Sequence, residues 1–113
     1  MAGRTPKVEL LWWNGCPSTE RAVAELREVM TELGIEAAAL QTRQVETEQS
    51  AAAEGFVGSP TLRIDGRDLE PGAVDGQEGL TCRVYRLRDG RVSPTPDPAD
   101  VRAALLHAMS DGS

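Results

Sequence analysis

The sequence predicts one α/β domain with elements in the order β-α-β-α-β-β-α, a mixed central sheet and helices on both of its faces. Three observations predict it. A strand-like run near the N-terminus carries apolar groups on both sides, as a central strand covered from above and below requires. Two later stretches repeat apolar residues at helical spacing. Asn14-Gly15, Asp65-Gly66 and Asp89-Gly90 punctuate the chain with turn chemistry. At 113 residues the chain is long enough for one modest core and too short for a multidomain enzyme, so a single domain over 1–113 is expected.

The elements follow in order. In the strand over 7–13, Val8, Leu10 and Trp12 share one face while Leu11 and Trp13 take the other. Asn14-Gly15 breaks it, and Pro17 sits where a first helical turn tolerates a missing N–H. Over 18–33, Val23, Leu26, Val29, Met30 and Leu33 form one stripe, closed by Gly34. A second extended segment is expected over 35–45 and a short helix over 46–54, with Thr47 as N-cap and Gly55 as stop. The strand over 61–64 closes at Asp65-Gly66. A segment over 69–81 reads as a long loop, and 82–87 alternates like a strand. After the proline-rich connector over 93–98, Asp97 caps a last helix whose stripe is Val101, Ala104, Leu105 and Ala108.

Composition narrows the function. Eighteen acidic against 12 basic residues give a net charge of -6, which disfavours nucleic acid as a partner. No run approaches the roughly 18–20 apolar residues of a membrane span, and the first seven residues lack a signal-like apolar run, so no membrane association and a cytoplasmic location are expected. Two cysteines, Cys16 and Cys82, do not make a disulfide scaffold.

Cys16 follows a strand and opens a helix, where unpaired N–H groups and the helix dipole favour the thiolate and lower its pKa below the usual value of about 8.5. Thr19 stands where a dithiol motif would carry its second cysteine, and its hydroxyl is expected to donate to the Cys16 thiolate. Ser59-Pro60 leads into a strand, a favourable place for a cis peptide bond. Cys82 has three readings: a resolving thiol for an oxidised Cys16, a second thiolate ligand to a soft metal ion such as Hg(II) or Cu(I), or a buried small hydrophobe. Of the two tryptophans, Trp12 reads as core and Trp13 as a candidate contact at the site. His107 reads as a surface residue of the last helix rather than a catalytic base, which argues against Cys-His chemistry. Glu20, Glu25, Glu28 and Glu32 read as a solvated face of the first helix.

Strand, Gly15-Cys16-Pro17, long helix, second strand, short helix and then Gly58-Ser59-Pro60-Thr61, with Asp65-Gly66 beyond it, resembles the thioredoxin superfamily. More narrowly, with Gly79-Leu80-Thr81-Cys82-Arg83-Val84-Tyr85 added, it resembles small bacterial thioredoxin-like proteins, some of them labelled alkylmercury lyase or cysteine/selenocysteine family. The resemblance covers nearly the whole chain. It implies a thioredoxin-like fold in which the Ser59-Pro60 loop lies beside Cys16 and binds substrate through backbone pairing. The leading expectation is a thiol oxidoreductase or thiol peroxidase using Cys16 as nucleophile, Thr19 to hold the thiolate, and Trp13, Ser59 and Pro60 to place substrate. Cys82 or a low-molecular-weight thiol would resolve the intermediate, and no cofactor is called for. The alternatives are a soft-metal or organomercurial handling protein with Cys16 and Cys82 as ligands, and a non-catalytic interaction module.

Overall fold

The computed structural model describes residues 5–56, 58–69 and 84–110. It is a small α/β protein built on a mixed four-stranded sheet. Strand β1 (Val8–Trp12) is central. It runs parallel to β2 (Leu40–Gln44) and antiparallel to β3 (Thr61–Ile64), and β4 (Arg67–Asp68) extends the sheet beyond β3, giving the order β2-β1-β3-β4. Helix α1 (Thr19–Glu32) crosses from β1 towards β2, α2 (Glu48–Glu54) lies between β2 and β3, and α3 (Pro98–Ser110) ends the described chain. Strands β5 (Tyr85–Arg86) and β6 (Val92–Ser93) pair with each other in a separate hairpin.

The alternation along β1 divides the core in two. Val8 and Leu10 point towards α1 and α3, where they pack with Leu26, Val29, Met30, Leu62, Val101 and Leu105. Leu11 points the other way, against Val45, Ala51 and Phe56 at α2. Arg102 on α3 donates two hydrogen bonds to the Glu32 carboxylate on α1, at 2.8 and 3.1 Å, and so fastens the two helices of the larger layer together.

Helix ends follow the local chemistry of the sequence. The Thr47 hydroxyl accepts from the Ser50 N–H at 3.0 Å and caps α2, which Gly55 ends in the left-handed region at φ 65°. Asp97 accepts from the Ala99 N–H at 2.9 Å at the start of α3. Two expectations are corrected. The extended segment over 35–45 is extended only from Leu40, because Ala37–Ala39 form a turn of 3-10 helix, in keeping with alanine's preference for helical backbone. The sheet's fourth strand is β4 and not the segment over 82–87, of which the described part pairs with β6. Asp65 and Gly66 both have positive φ, 52° and 82°, so a two-residue hairpin returns the chain onto β3 at once.

Among the described residues, no helix is long and apolar enough to cross a membrane.

Candidate functional site

The chain leaves β1 through a tight turn in which the Cys16 N–H donates to the Trp13 carbonyl at 3.1 Å. Gly15 is required there by close approach: a Cβ on it would overlap the Trp13 indole ring. Trp13 therefore folds over the turn and packs against the α2-side core.

Cys16 is a thiol only 6% exposed. Its Sγ lies 3.2 Å from the Ser18 Oγ and donates to the Ser59 carbonyl oxygen at 3.5 Å. Ser18 stands at the N-cap of α1 yet does not cap it. Its backbone is helical (φ -85°, ψ 0°) rather than extended as an N-cap usually is, and its hydroxyl turns to the sulfur instead. Thr19 does not fill the role expected of it. Its Oγ1 is buried and has no hydrogen-bond partner among the described residues, because Thr19 is already inside the helix while Ser18 is in the turn that faces the sulfur.

Opposite Cys16, the Ser59-Pro60 peptide bond is cis. The loop is fixed from two sides. The Thr61 hydroxyl donates to the Gly58 carbonyl at 2.6 Å, and the Tyr85 hydroxyl donates to the Pro60 carbonyl at 2.6 Å. Ser59, Pro60, Thr61 and Tyr85 are all buried, and the Ser59 Oγ has no hydrogen-bond partner among the described residues. The Ser59 carbonyl is thus aimed at the sulfur by a rigid support.

The Ser18 hydroxyl and the Ser59 carbonyl beside Cys16 serve different protonation states. A carbonyl can only accept, so Ser59 satisfies the thiol. A hydroxyl can donate or accept, so Ser18 can turn its proton onto a thiolate when one forms.

An open cleft of about 500 Å³ begins at Cys16 and runs beside α1. Trp12, Val23 and Thr42 line it together with Thr19, Glu20 and Arg27. Trp12, not Trp13, borders this cleft, since residue 12 lies on the α1 side of β1 and residue 13 on the α2 side. Cys82 and the long loop over 69–81, beyond Leu69, lie outside the described residues. His107 is exposed on α3. Glu25 departs from the solvated stripe expected of it. One carboxylate oxygen pairs with Arg21 at 3.1 Å, and the other is buried, without a hydrogen-bond partner among the described residues, in the pocket that Pro60, Tyr85 and Pro98 also line.

Sequence reasoning gave no role to Ser18 and Tyr85, which meet Cys16 and the Pro60 loop, and it placed Trp12 in the core, whereas Trp12 borders the cleft. Ser18 had a signal in the Cys-Pro-Ser turn, where a hydroxyl two residues on can reach back. Tyr85 ends the Gly-Leu-x-Cys-Arg-x-Tyr motif, which gave it no role.

No family model matches this chain, and neither does any curated protein or solved structure. Among the described residues, no group of three or more His, Cys, Asp or Glu side chains is placed to hold a metal ion.

Proposed function

We propose that this protein is a thioredoxin-like thiol-disulfide oxidoreductase in which Cys16 is the attacking sulfur. One observation carries the reading: the Cys16 Sγ lies 3.5 Å from the carbonyl of Ser59, across a cis bond from Pro60, at the junction of a central strand and a long helix. The sheet order β2-β1-β3-β4, with β1 and β2 parallel and β3 and β4 antiparallel, supports a thioredoxin-like topology.

The chemistry follows from the contacts. Loss of the thiol proton leaves a thiolate to which the Ser18 hydroxyl donates, and it frees the Ser59 carbonyl to accept an N–H from a peptide-like substrate. The thiolate attacks one sulfur of a substrate disulfide. A bond forms between Cys16 and that sulfur, the substrate S–S bond breaks, and the second sulfur leaves as a thiolate that takes a proton from water. A second thiol, from Cys82 or from a small molecule, then attacks the Cys16 sulfur: a disulfide forms between that thiol and Cys16, the bond from Cys16 to the substrate sulfur breaks, and the reduced substrate leaves as a thiolate that takes up the attacking thiol's proton.

The test is turnover of hydroxyethyl disulfide with a thiol reductant, together with intact-mass analysis of the trapped adduct. A mixed disulfide on Cys16 and loss of turnover in Cys16→Ser support the reading. An unmodified Cys16 in the folded protein overturns it. Stoichiometric uptake of Hg(II) without turnover, lost equally in Cys16→Ser and Cys82→Ser, would favour a metal-handling role instead.

A further inference from the structure

The cleft that starts at Cys16 has an unclaimed cation at its far end. Arg27 is exposed and makes no hydrogen bond or ion pair with any described residue. Its setting on the helix explains why. Residues three and four positions away are its neighbours, and these are Val23, Ala24, Met30 and Thr31, none of them acidic. Arg21, six residues earlier on the same helix, has Glu25 at the fourth position and pairs with it at 3.1 Å. Arg43, Arg63, Arg88, Arg91 and Arg102 are also paired with carboxylates. Arg27 lines the cleft together with an indole, a valine and two threonines, and Asn14, Pro17 and Glu20 line it with Cys16.

We propose that this cleft binds a low-molecular-mass thiol or disulfide whose distal carboxylate docks on Arg27 while its sulfur meets Cys16, an assignment that rests on the oxidoreductase reading above. Three features fix the class. A cleft of about 500 Å³ suits a small molecule and not a folded partner. The planar guanidinium fork matches a carboxylate. Arg27 stands eight residues beyond Thr19, roughly 12 Å along the helix axis, so sulfur and carboxylate must be separated by a peptide-like arm. Glu20 disfavours a second anion beside the sulfur and favours an ammonium or neutral group there. The reaction itself is unchanged: Cys16 bonds to one ligand sulfur as the ligand S–S bond breaks, and the departing thiolate takes a proton from water.

The experiment compares three disulfides: glutathione disulfide, which carries carboxylates on peptide arms, neutral hydroxyethyl disulfide and cationic cystamine. Each is tested on the wild type and on Arg27→Gln. The exposed Arg27 can be replaced without disturbing the core, and circular dichroism checks that the variant is folded. The expected result is a threefold to tenfold rise in KM for glutathione disulfide in Arg27→Gln, roughly what a partly screened charge-assisted contact is worth, with hydroxyethyl disulfide unchanged and the preference over cystamine lost. High salt should reduce the wild-type preference in the same direction. Modification of Cys16 by all three disulfides with no change in Arg27→Gln would overturn the cleft assignment and leave the oxidoreductase reading intact. Failure of all three to modify Cys16 would overturn both. Binding of S-methylglutathione, which cannot exchange, gives a second readout by quenching of Trp12 fluorescence in Cys16→Ser; binding lost on adding Arg27→Gln supports the cleft, and binding unaffected by Arg27→Gln overturns it.

Discussion

The Tyr85 hydroxyl donates to the Pro60 carbonyl at 2.6 Å, across 25 residues of chain, and ties the β5–β6 hairpin to the loop that faces Cys16. Both residues are buried. Tyr85→Phe removes the donor and leaves a buried carbonyl without it, at an expected cost of about 1–3 kcal/mol measured by urea unfolding. Because the Ser59 carbonyl is held by the same loop, the variant should also change the rate at which Cys16 reacts with a disulfide. A stability loss with no change in that rate would mean that the hairpin supports the fold and not the site.

The Ser18 hydroxyl, and not that of Thr19, is within hydrogen-bonding distance of the sulfur. Ser18→Ala should therefore slow alkylation of Cys16 by iodoacetamide at neutral pH by on the order of tenfold, the worth of one hydrogen bond to a charged group. Thr19→Val should leave the rate within about twofold, since the lost hydroxyl made no hydrogen bond. The opposite ranking would return the role to Thr19.

Gly15 and Trp13 are packed so closely that a methyl group on Gly15 has no room beside the indole. Gly15→Ala should push the ring from its place over the α2-side core, destabilising the fold by about 1–3 kcal/mol and red-shifting the tryptophan emission. An unchanged emission spectrum would show that the turn, rather than the ring, gives way.

Acid should loosen the start of α3. The Asp97 carboxyl is held below the ordinary carboxylate range by the backbone N–H of Arg88 and then that of Ala99. A lowered folded value means that its contribution is fully present above the unfolded value of about 3.9 and is lost as the pH falls through the folded value. Asp97→Ala should melt earlier than wild type at neutral pH, and the gap should close as the pH falls below about 4. A gap that stays constant to acid pH would assign the loss to packing and not to the carboxylate.

What was legible in the sequence was whatever local chemistry decides. Thr47, Gly55 and Asp97 mark helix ends because caps and left-handed stops act over three or four residues, and the alternation of Leu10 and Leu11 announced a strand covered on both faces. Strand β4 was not legible, because two residues carry no periodicity; only the paired positive φ of Asp65 and Gly66 reveals that the chain turns straight back. The site divides the same way. Cys16 and Pro60 were readable from their flanking residues. The choice between Ser18 and Thr19 depends on one turn's dihedral angles, and the Tyr85–Pro60 contact joins distant segments that no local pattern connects.

Glu9 sits in the central strand with its side chain only 8% exposed, on the face of β1 that Leu11 shares. Arg43 covers it from β2 at 3.5 Å and also grips both oxygens of Glu54, at 3.0 and 3.2 Å, while Arg63 meets Glu54 through an ion pair at 3.6 Å and through its backbone carbonyl. Lys7 adds only a distant contact to Glu9 at 3.8 Å. The two ends of this network should respond unequally. Arg43→Met leaves Glu9 nearly buried with little compensation and should destabilise by about 2–3 kcal/mol. Glu9→Met removes the charge that was costly to desolvate, leaves Arg43 paired with Glu54, and should fall within about 1 kcal/mol of wild type. Chemical denaturation of both variants checks the order. Equal losses would mean that the attraction between Glu9 and Arg43 outweighs the desolvation of Glu9, and that the sheet's polar face is held by the ion pair itself.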